Sequence, residues 1–285
     1  MLWRLVAWGL LLPLFGLLFL PLSEWGSKQL LDNVGRMLPI EIEYGGGRLA
    51  GELRLKHVGW GDDDLRLDLQ DVVIELSPVC LWHSRICFEQ LSARELDLTI
   101  LPGPAEAAAG PGAVAGDDTL FAFPVPLEAA HLQLDSLRVA WQGGEWRQGE
   151  IEGAVRISGS MIKVTGARLQ GASLSLSDAA ESSGPVQLPE IDLPLQLVVD
   201  ELVLVVGTWD LYGAPGELDS LRLSGSWSRK ALRLDALQLR AAALGQWEAH
   251  GSIDFSGQWP LALTVNGVVP DLPGWPTVLD RGITL

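Results

Sequence analysis

Cys80 and Cys87 are the two cysteines of the chain and lie in Ser77-Pro-Val-Cys-Leu-Trp-His-Ser-Arg-Ile-Cys-Phe88. An even pair at short spacing in an exported, oxidising compartment reads as a disulfide. Closing so short a loop would stabilise the fold by about 2.5 kcal/mol in the chain-entropy treatment. The alternative is a metal site built on Cys80, His83 and Cys87, which needs a fourth ligand and reduced thiols. A redox-active pair would show Cys-x-x-Cys spacing, and this one does not. The other residues able to do chemistry are scattered. His57, His83, His131 and His250 fall in no metal-ligand or nucleophile-elbow pattern. Gly45-Gly46-Gly47 precedes a strand pattern and lacks the Gly-Lys-Ser/Thr ending of a phosphate loop, so it reads as a turn. Asp62-Asp63-Asp64 places three carboxylates in a row, where a calcium loop needs alternate positions, and reads as a solvated turn. The expectation is a protein that is not an enzyme, with no catalytic residues, metal or cofactor.

The elements that would position any site are strands. In Leu132-Gln-Leu-Asp-Ser-Leu-Arg-Val-Ala-Trp141, apolar residues alternate at Leu132 and Leu134, then resume in opposite parity at Leu137, Val139 and Trp141. The unit recurs as Leu65, Leu67 and Leu69 before Val72, Ile74 and Leu76, and as Leu195, Leu197 and Val199 before Leu202, Leu204 and Val206. Shorter copies cross at Asp219-Ser220 and Asp235-Ala236, the latter after Leu232 and Leu234. Period-two alternation means strand, and a parity flip exchanges the faces, so each crossing predicts a bulge, sharp bend or short turn. Alternation alone also suits an ordinary antiparallel sandwich. The repeated acidic crossing favours one unit stacked many times. Trp141-Gln-Gly-Gly-Glu-Trp146 predicts a hairpin, and Ile151–Ile157 with Met161–Leu169 predicts another turning at Gly159.

Leu5 to Leu22 carries no charge, and as a helix it would extend about 27 Å, near the thickness of a bilayer core. Arg4 before it and Glu24 after it leave the N-terminus in the cytoplasm and send everything after Ser23 across the membrane. A cleaved signal peptide would want small residues where Leu-Pro-Leu-Ser23 stands, which favours an uncleaved anchor. Residues 1–26 are therefore read as the anchor. Residues 27–39 read as an amphipathic capping helix, with Leu31, Val34 and Leu38 on one face and Pro39 as its stop. Residues 40–285 read as the β-body, with flexible insertions at 102–119 and 178–188. The strand pattern reaches Val269 without a capping element, which suggests a piece of something longer. A formal charge of −16 argues against nucleic acid or an anionic surface as the main partner.

Leu76-Ser-Pro-Val-Cys-Leu-Trp-His-Ser-Arg-Ile-Cys87, followed by Leu91 and Leu96-Asp-Leu-Thr-Ile100, strongly resembles the N-terminal region of the TamB family. These are inner-membrane subunits of the translocation and assembly module of Gram-negative bacteria, related to AsmA-like proteins. The anchor, the helix ending at Leu38-Pro39, Gly47-Arg-Leu49 before Leu53-Arg-Leu55, and Leu188-Pro-Glu-Ile-Asp-Leu-Pro-Leu-Gln-Leu197 also agree. The resemblance implies an all-β fold: an elongated, bent antiparallel sheet forming a groove, or β-taco, behind a transmembrane helix and a short capping helix. It implies a single-pass inner-membrane protein with its bulk in the periplasm, conducting phospholipids between inner and outer membrane. It also implies an Omp85-type outer-membrane partner, TamA, engaged through a C-terminal domain whose counterpart is not in this sequence.

Acyl chains suit an apolar strip because they need area and no directional partner, each buried methylene contributing about 0.8 kcal/mol. The lining candidates are Leu67, Leu69, Leu132, Leu134, Leu195, Leu197, Val199, Leu232 and Leu234, with the crossing as a bend at the rim. Which parity lines the groove stays open. Two other readings are a scaffold that presents sheet edges to outer-membrane proteins, and a lipopolysaccharide-type bridge.

Overall fold

The computed structural model describes residues 22–37, 39–62, 65–101, 122–177, 193–256, 259–268 and 283–284. The expected membrane anchor, all but its last residues, and both expected insertions lie outside the described residues. Among the described residues no helix is long and apolar enough to cross a membrane.

Helix α1 spans Glu24–Met37 and starts three residues ahead of the Ser27 read from the sequence. Ser23 causes the early start, since its Oγ accepts the backbone N–H of Gly26 at 3.1 Å, a helix cap. Glu24 in the first turn and Arg36 in the last complement the helix dipole.

The remaining elements form one sheet. Its strands are β1 (Ile40–Gly47), β2 (Glu52–Gly61), β3 (Leu65–Ser77), β4 (Ile86–Ile100), β5 (Phe123–Trp141), β6 (Gly144–Gln148) and β7 (Ile151–Gly159). They continue as β8 (Met161–Leu176), β9 (Leu193–Leu211), β10 (Ala214–Arg229), β11 (Ala231–Ala241), β12 (Gly245–Asp254), β13 (Leu261–Val268) and β14 (Ile283–Thr284). The strands neighbour one another in chain order, except that β6 and β7 share one position between β5 and β8 as two halves of a broken strand. Gly45-Gly46-Gly47 is not the turn expected of it. It ends β1, with Gly46 and Gly47 at φ 147° and 91°, and the turn follows at residues 48–51. One rim of the sheet carries the β1–β2, β3–β4, β7–β8 and β10–β11 turns, and the opposite rim carries β2–β3, β5–β6, β9–β10 and β11–β12.

The sheet is mixed, which corrects the antiparallel expectation. β4 pairs with β5 in parallel, Ile86 opposite Leu127 through Thr99 opposite Ala140, and β8 pairs with β9 in parallel, Met161 opposite Gln196 through Leu176 opposite Leu211. A parallel neighbour requires the chain to recross the sheet before the next strand starts. The stretches between Ile100 and Phe123 and between Leu176 and Leu193 are long enough to do so, whereas the tight turns elsewhere enforce reversal.

The β3–β4 connection is a 3-10 turn over Pro78–His83, and Cys80 and Cys87 are disulfide-bonded across it with Cα atoms 5.8 Å apart. Sulfurs bonded to each other leave no thiolate for the metal site considered as the alternative.

Candidate functional site: one apolar face

Each parity crossing is a place where two consecutive side chains share the polar face, so the apolar residues before and after it share the other. The cluster around Leu53, Leu55 and Val72 makes this concrete. Those three are buried, and Val58, Leu69, Ile74 and Ala93 pack against them from both sides of the crossings. Leu69 and Val72 thus meet on one face although they differ in parity. The apolar residues on either side of this crossing therefore belong to one surface.

The crossings line up across strands. In one row Gln70-Asp71 of β3 lies beside Arg94-Glu95 of β4, Asp135-Ser136 of β5, the break between β6 and β7, Gln170-Gly171 of β8, Val205-Val206 of β9 and Asp219 of β10. A second row passes through Glu89-Gln90, Ala130-His131, Ala154, Thr165-Gly166, Asp200-Glu201, Ser224 and Asp235-Ala236. Neighbouring strands change parity together in the first row, so the β2–β3 and β9–β10 registers run straight through it. In the second row the antiparallel registers step by one, as bulges do, at Ala129/Leu132, Glu152/Ala154, Ser224/Gly225 and Leu234/Leu237. Backbone geometry marks the same places, with left-handed φ at Asp71 (49°), Gly166 (60°), Gly171 (69°) and Val206 (58°). A β-branched residue such as Val206 rarely adopts that region, so its neighbours must enforce it. The rows run through the body of the sheet, which corrects the expectation of a bend at the rim.

The register carries the sequence candidates onto this face. Leu67 and Leu69 pair with Leu98 and Leu96, which lie beside Val139 and Leu137. Leu132 and Leu134 lie beside Leu91 and Ala93. Leu197 and Val199 lie beside Ile162 and Val164 on one side, and pair with Trp227 and Gly225 on the other. Those two pair in turn with Leu232 and Leu234. Leu195 lies just before this regular pairing, where the β9–β10 register shifts between Ser228 and Arg229. Ile253, Leu261 and Leu263 prolong the face through β12 and β13. Ala241, Leu204, Ala167, Ala129, Leu134 and Ala249 are its most buried strand members beyond the Leu53 cluster.

The opposite face is ionic. Asp97, Arg138, Glu145 and Arg147 form a ladder across β4, β5 and β6, with Arg138 bonded to Asp97 at 3.0 Å and to Glu145 at 2.7 Å. The arginines hold the Glu145 carboxyl below its ordinary range, first Arg147 and then Arg138 through hydrogen bonds. Lys163 reaches Asp200 at 2.8 Å and Arg94 reaches Asp71 at 3.0 Å, so acidic residues of the crossings are neutralised on the polar side. These pairs are exposed and fix little energy, but they label the wet face.

Two polar residues escaped the sequence reading. Gln148 is 2 % exposed at the end of β6, and its Nε2 donates to the Gln170 carbonyl at 2.8 Å, bridging the β6–β7 break. Its Oε1 is buried without a partner. The signal was faint: Gln148-Gly149 stands opposite Leu137 and Ser136, visible only once β5 is paired. Ser27, fully buried, accepts the Leu49 N–H through Oγ at 2.9 Å and fastens α1 along β1, while Leu31 joins the Leu53 cluster. Beside this clasp Tyr44 donates to the Gly47 carbonyl at 2.6 Å within β1, and burial followed by the Glu24 charge raises its phenol above the ordinary value. Ser27→Ala removes the acceptor of a part-buried N–H and is expected to cost about 1–2 kcal/mol. Amide hydrogen exchange over residues 24–37 should accelerate, and exchange matching the unsubstituted chain would remove Ser27 from this role.

Among the described residues no group of three or more His, Cys, Asp or Glu side chains is arranged to hold a metal ion. No curated protein and no solved structure matches the chain. A family model described as TamB, N-terminal domain, matches residues 13–277. That span takes in α1, the disulfide-closed turn and strands β1 to β13, and the chain belongs to the TamB N-terminal domain family.

Proposed function

We propose that this chain is an inner-membrane-anchored, periplasmic segment of a lipid conduit, whose apolar face forms a bent groove that carries phospholipid acyl chains toward the outer membrane. Leu5–Leu22 anchors it, and an Omp85-type protein such as TamA receives the intact assembly at the far side. The work is binding and sliding, not catalysis.

The observation supporting this reading is the continuity of the apolar face from β2 to β13 through two rows of aligned crossings. An ordinary sandwich has no need to align its bulges strand after strand. At a strand spacing of about 4.8 Å, and with β6 and β7 sharing one position, the face extends roughly 50 Å. That is several acyl-chain lengths, taking a chain as half of a roughly 30 Å hydrocarbon core. Head groups stay at the wet opening while methylenes exchange one apolar contact for the next, so no energy source is required at each step.

Photo-crosslinking in cells tests it. A photoreactive residue at Leu134, Leu197 or Val199 is expected to capture phospholipid, and so is one at Leu137 or Leu202, because both parities share the face. Val198 and Val203, on the opposite face, should capture none. Adducts with unfolded outer-membrane proteins alone would favour the scaffold reading, and adducts with lipopolysaccharide the other bridge.

A further inference from the structure

We propose that the disulfide-closed turn at Pro78–His83 is a second membrane contact: Val79, Leu81 and Trp82 enter the head-group boundary of the bilayer that holds the Leu5–Leu22 run. This rests on the anchored reading above. The three side chains are 66 %, 52 % and 89 % exposed, an apolar cluster on a turn that the Cys80–Cys87 bond prevents from folding under. Exposed apolar groups gathered this way mark an interaction surface, and Trp is the side chain that favours the membrane–water boundary.

Location selects the bilayer as occupant. The apolar run ends where α1 begins, and Ser27 of α1 is bonded to Leu49 in the β1–β2 turn at 2.9 Å. Two residues further on, the Gly51 carbonyl accepts the Leu76 N–H at 3.0 Å, directly before the disulfide-closed turn. Among the described residues, the start of α1 and the β1–β2 turn thus link the end of the anchor to the tip along one rim. Leu22 and Trp25, 47 % and 71 % exposed, stand on the anchor side of this corner.

Charge points the same way. In a chain of net charge −16, residues 76–88 contain no Asp or Glu, and they carry Arg85 and His83. An acidic protein body is repelled by anionic lipid, and this tip is the part freed of that repulsion. Contact at the tip would fix the tilt of the groove, setting its first strands at the lipid surface.

The experiment uses the full chain in proteoliposomes of phosphatidylethanolamine and phosphatidylglycerol, with a photoreactive residue at Val79 or Trp82. Leu244, an exposed residue on a turn of the opposite rim, is the control. Retention after a carbonate wash, with lipid adducts at 79 and 82 and none at 244, is the expected result. Retention without lipid adducts at 79 and 82, protein adducts alone there, or equal lipid adducts at 244 overturns the contact and leaves the anchored reading standing. Release of the chain by carbonate overturns both.

Discussion

A chain carrying Leu197→Asp together with Leu232→Asp is expected to keep its lipid adducts at a probe on Leu69 and to lose them at a probe on Leu263. Leu197 and Leu232 both pair with Trp227, from opposite sides, so the two carboxylates would stand on the apolar face two strands apart, roughly 10 Å. An acyl chain sliding over them must strip water from the charges without supplying a hydrogen bond, which costs several kcal/mol. It also forfeits about 0.8 kcal/mol for each methylene that no longer finds an apolar neighbour. A barrier of that size cuts passage by a hundredfold or more in order of magnitude. Both leucines are only partly buried, so the strands should still pair, and an unfolding midpoint close to that of the unsubstituted chain would verify it. Leu197→Met with Leu232→Met keeps the strip apolar and should keep adducts at both probes. Undiminished adducts at Leu263 in the Asp pair would show that lipid does not travel along this face.

Gly225→Ala should be among the most damaging single methyl additions in the sheet. Gly225 sits beside the bulge at Ser224 on the apolar face, where β10 changes parity between β9 and β11. A Cβ there would stand 2.4 Å from the Arg233 carbonyl oxygen and 3.4 Å from the Leu234 Cα, both backbone atoms of the adjacent strand. Neither can rotate away, so β10 and β11 must separate at the second row of crossings. Overpacking of this kind costs about 1–3 kcal/mol. At roughly 2–4 °C per kcal/mol, the midpoint of thermal unfolding should fall by several degrees. Gly51→Ala is the matched control, since a Cβ there meets nothing within 4 Å and its φ is not left-handed. Equal midpoints for the two substitutions would contradict this account of how the rows are built.

Much of the architecture is local and so was legible. Leu132 to Trp141 announces a strand and its own parity flip, and Trp141-Gln-Gly-Gly-Glu-Trp146 announces a reversal, which the structure makes between β5 and β6. Crossings such as Val205-Val206 and Ala130-His131 carry no carboxylate to mark them along the chain. Leu127 and Ala129 before Leu132 held the second of these in plain view.

The sequence by itself determined the strand content, most of the turns, the disulfide between Cys80 and Cys87, and the residue pairs at which parity flips, because each depends on neighbours a few positions apart. Tertiary structure alone decided that Leu69 and Val72 share a face, that flips far apart in the chain align into rows, that β4–β5 and β8–β9 run in parallel, and that Gln148 is buried. The physical reason is register. Alternation fixes which side of its own strand a residue takes, but only the hydrogen-bonded pairing of one strand with the next fixes which residue stands beside it, and a continuous apolar face is a property of that pairing.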